Sequence, residues 1–337
     1  MREPAFWWQP GSWLSLALKP VGWIYGAIAA ARFQQEGRDV GIPVICVGNY
    51  HVGGAGKTPT VLALLDLLQR AGERPFVLSR GYGGTLKGPA LVDLARHSAH
   101  DVGDEPLLLA AAAPVVVSRD RVAGAELARA QRASVIVMDD GFQNPSLQKE
   151  LSLIVVDGVR GIGNGAVFPA GPLRAPLAPQ LERTAVLIIV GDGPAADDLA
   201  AAVAARGGLV CRARLAADQS SVAALAGKRV LAFAGIGDPD RFFATLRENG
   251  IEVAASRRFP DHHRYRDSEL AVLEAAARRD GLALVTTTKD LVRLRTAGRS
   301  RSTDAIRDFP VTLMFDDAAT LRQRVLQAIG ATSRLKA

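Results

Sequence analysis

The sequence predicts an α/β fold: a doubly wound, mostly parallel sheet, a second and smaller α/β unit after it, and an aromatic segment in front. Three observations predict it. From residue 42 onward, short apolar runs alternate with helical patterns, as parallel sheets covered on both faces require. The length of 337 residues suits two domains. All four tryptophans, Trp7, Trp8, Trp13 and Trp23, lie in the first 23 residues, with Phe6, Tyr25 and Phe33 beside them.

The elements follow in order. Residues 1–38 form the aromatic region, where the only charge between Pro4 and Ala31 is Lys19. Pro10, Gly11 and the Lys19-Pro20 pair break this stretch, leaving uncharged runs of 15 and 12 residues. Both are shorter than the roughly 20 residues that span a bilayer. Arg2 is offset by Glu3, so a secretory signal is not expected. Tryptophan and tyrosine prefer the membrane interface, so an interfacial helix is expected rather than a span. The competing expectation is that these aromatics pack on the protein's own core.

Residues 39–210 are expected to form the core domain. Strands are predicted at 42–47, 75–78, 114–117, 134–138, 151–156 and 185–190, with helices at 57–71, 106–113 and 121–131. The glycine and proline-rich stretch from Gly158 to Leu177 has no period and reads as a long functional loop. Residues 191–226 are alanine-rich and leave helix and strand open. Residues 211–337 are expected to form the second unit, with strands at 229–234, 251–255, 282–287 and 311–315 and helices at 239–248, 268–279 and 318–329.

Composition narrows the function. A hydrophobic content of 48% excludes a disordered or fibrous chain. Lys plus Arg total 41 against 34 Asp plus Glu, a net +7 that favours phosphates, acidic lipids or nucleic acid without choosing among them. Two cysteines, Cys46 and Cys211, exclude a disulfide framework and a cysteine-rich zinc site; both are expected in the core.

The strongest local signal is VGNYHVGGAGKTPT, Val47 to Thr60, between a predicted strand and helix. Backbone N–H groups of such a turn cradle phosphate oxygens, a lysine reaches the β and γ phosphates, and the next hydroxyl can hold Mg²⁺. Gly53, Gly54, Ala55, Gly56, Lys57 and Thr58 are therefore assigned to nucleotide, in a P-loop NTPase-like core. The strict spacing would place glycine at 51, where His51 stands, so the loop is a variant. In ASVIVMDDGFQ, Asp139 and Asp140 end a buried strand, where they can face the same magnesium as Thr58. In VGDEP, Asp104 reads either as a helix N-cap or as a functional carboxylate. FPDHHRYR places His262 and His263 among arginines, where a phosphate or proton-transfer role suits them better than a metal pair.

Taken together, these motifs resemble the tetraacyldisaccharide 4'-kinase family over nearly the whole chain. The resemblance rests on the aromatic N-terminus, VGN(x)₃GG(x)GKTP, RGYGG at 80–84, VGDEP, the Arg121 region, DDGFQ, GNGAVFPAGPLR at 163–174, FPDHH, and Lys289-Asp290. It implies ATP and Mg²⁺ as cofactors and transfer of the γ-phosphate to the 4'-hydroxyl of an acylated glucosamine disaccharide 1-phosphate, giving lipid IVA. It also implies a cytoplasmic-face, inner-membrane location, held peripherally or by a single N-terminal anchor, with no nucleic-acid partner; a monomer is expected. By the same resemblance, Lys57, Asp104, Asp140 and His262 would be catalytic, with Asp104 the base and His262 its assistant. Thr58, Glu105, Asp139, Asp140 and Gln143 would surround the metal, and Tyr82, Arg121, Asn164 and Arg174 would contact substrate. The chain departs from the family pattern at His51, Asn144, Ala175 and Thr288.

Two rivals share the loop chemistry. A membrane-binding ATPase switch of the partitioning type would carry a lysine before the double glycine, where Val52 stands. A GTPase metallochaperone would need a guanine-reading N/T-K-x-D, but Thr288-Lys289-Asp290 runs on to Leu291.

Overall fold

Uninterrupted runs of Val, Ile and Leu cannot serve as one-faced strands, and here they form the middle of a sheet covered on both sides. The computed structural model describes residues 3–9, 11–296 and 305–335; Arg2 and Pro10 lie outside them. The strands are β1 (Val44–Gly48), β2 (Pro75–Ser79), β3 (Ala90–Leu91), β4 (Val115–Val117), β5 (Val135–Asp139), β6 (Leu151–Asp157), β7 (Val186–Val190) and β8 (Leu209–Ala217). They continue with β9 (Arg229–Ala234), β10 (Glu252–Arg258), β11 (Ala283–Thr286), β12 (Ile306–Asp308) and β13 (Val311–Phe315).

The large sheet runs β13-β8-β7-β6-β1-β5-β2-β4-β3, parallel except for its edge pairs β13 with β8 and β3 with β4. Helices Lys57–Arg70 and Ala318–Leu335 cover one face, contributing Val61, Leu64, Leu65 and Leu68, and Leu321, Val325 and Ile329. Phe33, Ala125, Ala128, Phe142 and Leu199 pack on the other. The chain leaves β1 toward β2 on one side and reaches β6 on the other, so a crevice opens above β1 and β5, where α/β sheets bind ligands. The smaller sheet, β10-β9-β11-β12, is wholly parallel.

The expected boundary between residues 210 and 211 falls inside β8. Val311–Phe315, expected in the second unit, instead pairs antiparallel with β8, and the last helix packs on the large sheet. The smaller unit is thus an insertion between β8 and β13. An amphipathic edge strand fits either sheet by its pattern, so only non-local pairing decides. The open stretch 191–226 resolves into helix Asp197–Ala204, β8 and helix Gln219–Leu225. Helix Asp104–Ala110 starts two residues before the expected Pro106, and helix Thr288–Thr296 was not anticipated.

The N-terminus also differs. Helix Trp13–Phe33 runs unbroken through Pro20 for 21 residues, about 30 Å at 1.5 Å per residue, and is long and apolar enough to cross a bilayer. A proline here costs one N–H bond but does not end the helix. Gly22 and Gly26 let it lie close on the 167–176 loop: a Cβ on Gly22 would sit 2.9 Å from the Val167 carbonyl oxygen. Trp13, Leu16, Trp23, Ile24 and Ile28 face outward, whereas Trp7 is buried and donates its indole N–H to the Pro169 carbonyl at 3.0 Å. The aromatics therefore divide between the protein's own core and an exposed face of this helix.

Candidate functional site

β1 delivers the glycine-rich loop to the crevice, and Gly56, in the left-handed region at φ 91°, turns it into helix Lys57–Arg70. Lys57 opens that helix, where the aligned N–H groups already favour an anion. Thr58 is half-buried beside it, Ala55 is buried, and Gly54 has open space where a side chain would stand. Gly53, at φ 111°, is tighter, because a methyl there would fall 1.9 Å from Oε1 of Glu3. The Glu3 carboxylate also pairs with Arg160 and accepts from the Trp8 indole, and Arg160 stacks 3.8 Å over the Trp8 ring. The N-terminal segment thus reaches the glycine-rich loop itself.

Asp139 ends β5 in register with Val47 of β1. Asp140 follows in a left-handed conformation, φ 49°, with its N–H bonded to the Val47 carbonyl. This turn aims the two carboxylates differently. Burial would raise the Asp140 pKa, but Lys57 at 3.8 Å and the bidentate Arg174, at 2.7 and 3.1 Å, hold it down at about 2. Asp139 has no such clamp. Burial, then the neighbouring Glu105 and Asp140 charges, push it up to about 7.

Asp104 is not the N-cap of its helix: Gly103 takes that position, and Asp104 is the first helical residue. Its Oδ2 accepts from His262 Nδ1 at 2.8 Å and from Arg293 Nε at 2.5 Å, both from the smaller lobe. Burial works against ionisation, but His262 and Arg293 outweigh it and hold the carboxyl below its ordinary range. Glu105 beside it is held low in the same way, by Lys289 at 3.1 Å and by Lys57. His263 points away, bonding Glu269 at 2.9 Å and stacking on Phe259.

The remaining predicted residues fall into two groups. Arg121 is buried near Asp139 and Asp140, which offset the burial that lowers its pKa, and Tyr82 is exposed with its ring 6.2 Å from that of His262. Both join the crevice. Gln143 donates its amide to the Asn49 carbonyl and to Gln180, Arg174 is engaged with Asp140 and the His51 carbonyl, and Asn164 donates to Phe6, Ser15 and Ala170. Asn164 therefore joins the N-terminal segment to the long loop and stands outside the cluster around Lys57 and Asp104.

Among the described residues, no three carboxylate, histidine or cysteine side chains form a ready-made metal cage. The donors still suit magnesium, which takes hard oxygens from one or two carboxylates and leaves the rest to phosphates and water. Thr58, Asp139 and Glu105 offer such oxygens, and crowding of like charge at Asp139 is what a cation would relieve.

Sequence reasoning missed Arg293, Asn49 and Glu3. Asn49 lies within the VGN motif and is wholly buried; it donates to the Gly53 carbonyl, while its own Oδ1 is unpartnered. His51 is also buried, its Nε2 unpartnered, and burial lowers its pKa to about 4.

Comparison with known proteins identifies the family. A family model described as tetraacyldisaccharide-1-P 4'-kinase (LpxK) matches residues 14–330. The tetraacyldisaccharide 4'-kinase of Nitrobacter hamburgensis is 62% identical over 335 residues, covering 99% of this chain and 100% of that protein. That of Rhodopseudomonas palustris strain BisB5 is 62% identical over 329 residues, covering 98% and 97%. A crystal structure of LpxK from Aquifex aeolicus in complex with ATP superposes with a TM-score of 0.75 at 26% identity, covering 94% of this chain and 99% of that one.

Proposed function

The chain belongs to the tetraacyldisaccharide-1-P 4'-kinase family, and from that premise we propose how its residues divide the work of transfer. It is a kinase of lipid A biosynthesis, acting on the 4'-position of the disaccharide precursor. The partitioning-type ATPase reading is not favoured.

ATP places its β and γ phosphates against the 53–58 loop, where backbone N–H groups and Lys57 offset charge as it moves toward the leaving oxygen. Thr58, Asp139 and Glu105 would hold Mg²⁺, with Asp140 and Gln143 near it, and the ion would supply charge neutralisation for the transferring phosphate. Arg174 and Lys57 fix Asp140 between them, so the residue beside the metal cannot swing away. Asp104 takes the proton of the 4'-hydroxyl: its Oδ2 is held by His262 and Arg293, which leaves Oδ1 for the acceptor. Tyr82 and Arg121 line the approach.

We assign the smaller lobe, inserted between β8 and β13, the role of closing over the active-site cleft. The outward apolar face of helix Trp13–Phe33 seats the enzyme on the cytoplasmic face of the inner membrane, where a tetraacylated substrate resides, and it works as a monomer. The observation that carries this reading is the 2.8 Å contact between Asp104 and His262 across the two lobes, one residue from a carboxylate that senses Lys57.

The test is transfer of labelled γ-phosphate from ATP to tetraacyldisaccharide 1-phosphate in detergent, comparing wild type with Asp104→Asn. Loss of a general base costs about 10²- to 10⁴-fold in kcat, with ATP affinity retained. Acceptor-independent hydrolysis in the wild type, unchanged in the variant, would refute the assignment.

A further inference from the structure

Arg293 lies in helix Thr288–Thr296, outside every motif discussed above, yet it touches both partners of the proposed dyad. Its side chain is almost fully buried. Nε donates to Asp104 Oδ2 at 2.5 Å, and the NH1 nitrogen donates to the Gly235 carbonyl and to Asp290 Oδ1, each at 2.7 Å. The NH2 nitrogen lies 3.3 Å from His262 Nδ1.

The loop carrying His262 hangs on the same points. The Gly235 carbonyl that accepts from Arg293 also accepts the His262 backbone N–H at 3.1 Å, and the Gly235 N–H donates to Asp290 Oδ2 at 3.0 Å. His262 itself sits at φ 57°, a left-handed conformation that a non-glycine residue keeps only when its surroundings over-determine it. Asp290 is wholly buried and accepts from Arg293, Gly235 and Thr287. One planar guanidinium therefore reaches the Asp104 carboxylate of the large lobe and the loop that presents His262. A lysine, with a single ammonium, cannot address these groups at fixed angles.

We propose that Arg293 is the positioning residue of the Asp104–His262 dyad: it sets the carboxylate and the imidazole relative to each other when the smaller lobe docks. This rests on the reading of Asp104 as base. The role of Arg293 is to act through the two groups it holds. Without it, Asp104 loses one of two donors on Oδ2, the Gly235 carbonyl that anchors the His262 backbone loses its second donor, and Asp290 is left buried without its cation.

The experiment uses the full-length protein in the detergent transfer assay. Arg293→Ala is expected to lower acceptor-dependent kcat about 100-fold, the scale of a misplaced reacting group, while KM for ATP stays within about twofold. Millimolar guanidinium chloride is expected to restore a measurable part of kcat in this variant and none in Asp104→Asn. Removing one member of a buried pair is strongly destabilising, so Arg293→Lys is made in parallel. It keeps the charge and should fold, with kcat lowered about tenfold because the fork is gone. Wild-type kcat in the folded variants overturns the proposal, as does a loss that follows the unfolded fraction or one that guanidinium leaves unchanged in folded Arg293→Ala. Full activity in Asp104→Asn would instead show that the base itself is misassigned.

Discussion

The two halves of the crevice are built by different physics. Around Lys57, Asp139 and Asp140, the positions come from strand ends and loop backbone within one core: β1 and β5 are neighbours in register, and the turn after each is tied by backbone bonds. Around Asp104, the positions come from charged side chains meeting across two lobes, through His262, Arg293 and the Lys289–Glu105 pair. The first half is built within the core of the large sheet, whereas the second needs contacts made between the two lobes.

The largest test of that contrast is Lys57→Ala, which removes the phosphate-facing charge and is expected to cost on the order of 10³-fold in turnover. Nucleotide affinity should fall with it, as measured by equilibrium binding; retained affinity would place Lys57 outside the phosphate site. Lys289→Met acts on the other half. It is expected to lower kcat about tenfold, the cost of about 1.4 kcal/mol from a broken lobe contact, with ATP binding unchanged. A parallel loss of ATP affinity would erase the distinction between the halves.

The smallest effect sharpens the first half alone. His51 is held neutral, with its pKa lowered to about 4 by burial, so protonation favours the unfolded chain. Stability from this site is complete above the ordinary imidazole value of 6.5 and is lost as pH falls from there toward about 4. His51→Ser should flatten that part of the melting-temperature profile, and superimposable profiles would contradict it.

Much of the first half was legible in the sequence, because its signals are local. GGAGKT follows an apolar run and precedes a helical period, and DDGFQ ends another apolar run, so strand order alone brings them together. The second half was legible only in pieces. Asp104 could be named, but its partners lie 158 and 189 residues away, and no local period marks such pairs. Arg293 looks like any polar position on a short helix. β13 was assigned to the wrong sheet for a similar reason, since its pattern carries no partner. Pro20 misled differently: one missing N–H bond looked like a break, and the structure shows a continuous helix. Arg174 and Asn164 were assigned to substrate by the family resemblance alone, and no local pattern pointed to the hydrogen bonds they make to other protein groups.

The manner in which the smaller lobe is inserted has an architectural consequence. Its two ends leave the large sheet side by side: Ala217 of β8 faces Val311 of β13, and the next N–H, that of Asp218, bonds the Pro310 carbonyl at 3.0 Å. Bringing those ends together costs the chain almost no additional loop entropy, because the sheet has already done it. A short turn joining Ala217 to Val311 would close β8 and β13 as an ordinary hairpin and leave every strand of the large sheet paired. The lobe thus enters and leaves through two neighbouring paired strands, so the continuity of the large sheet does not run through it.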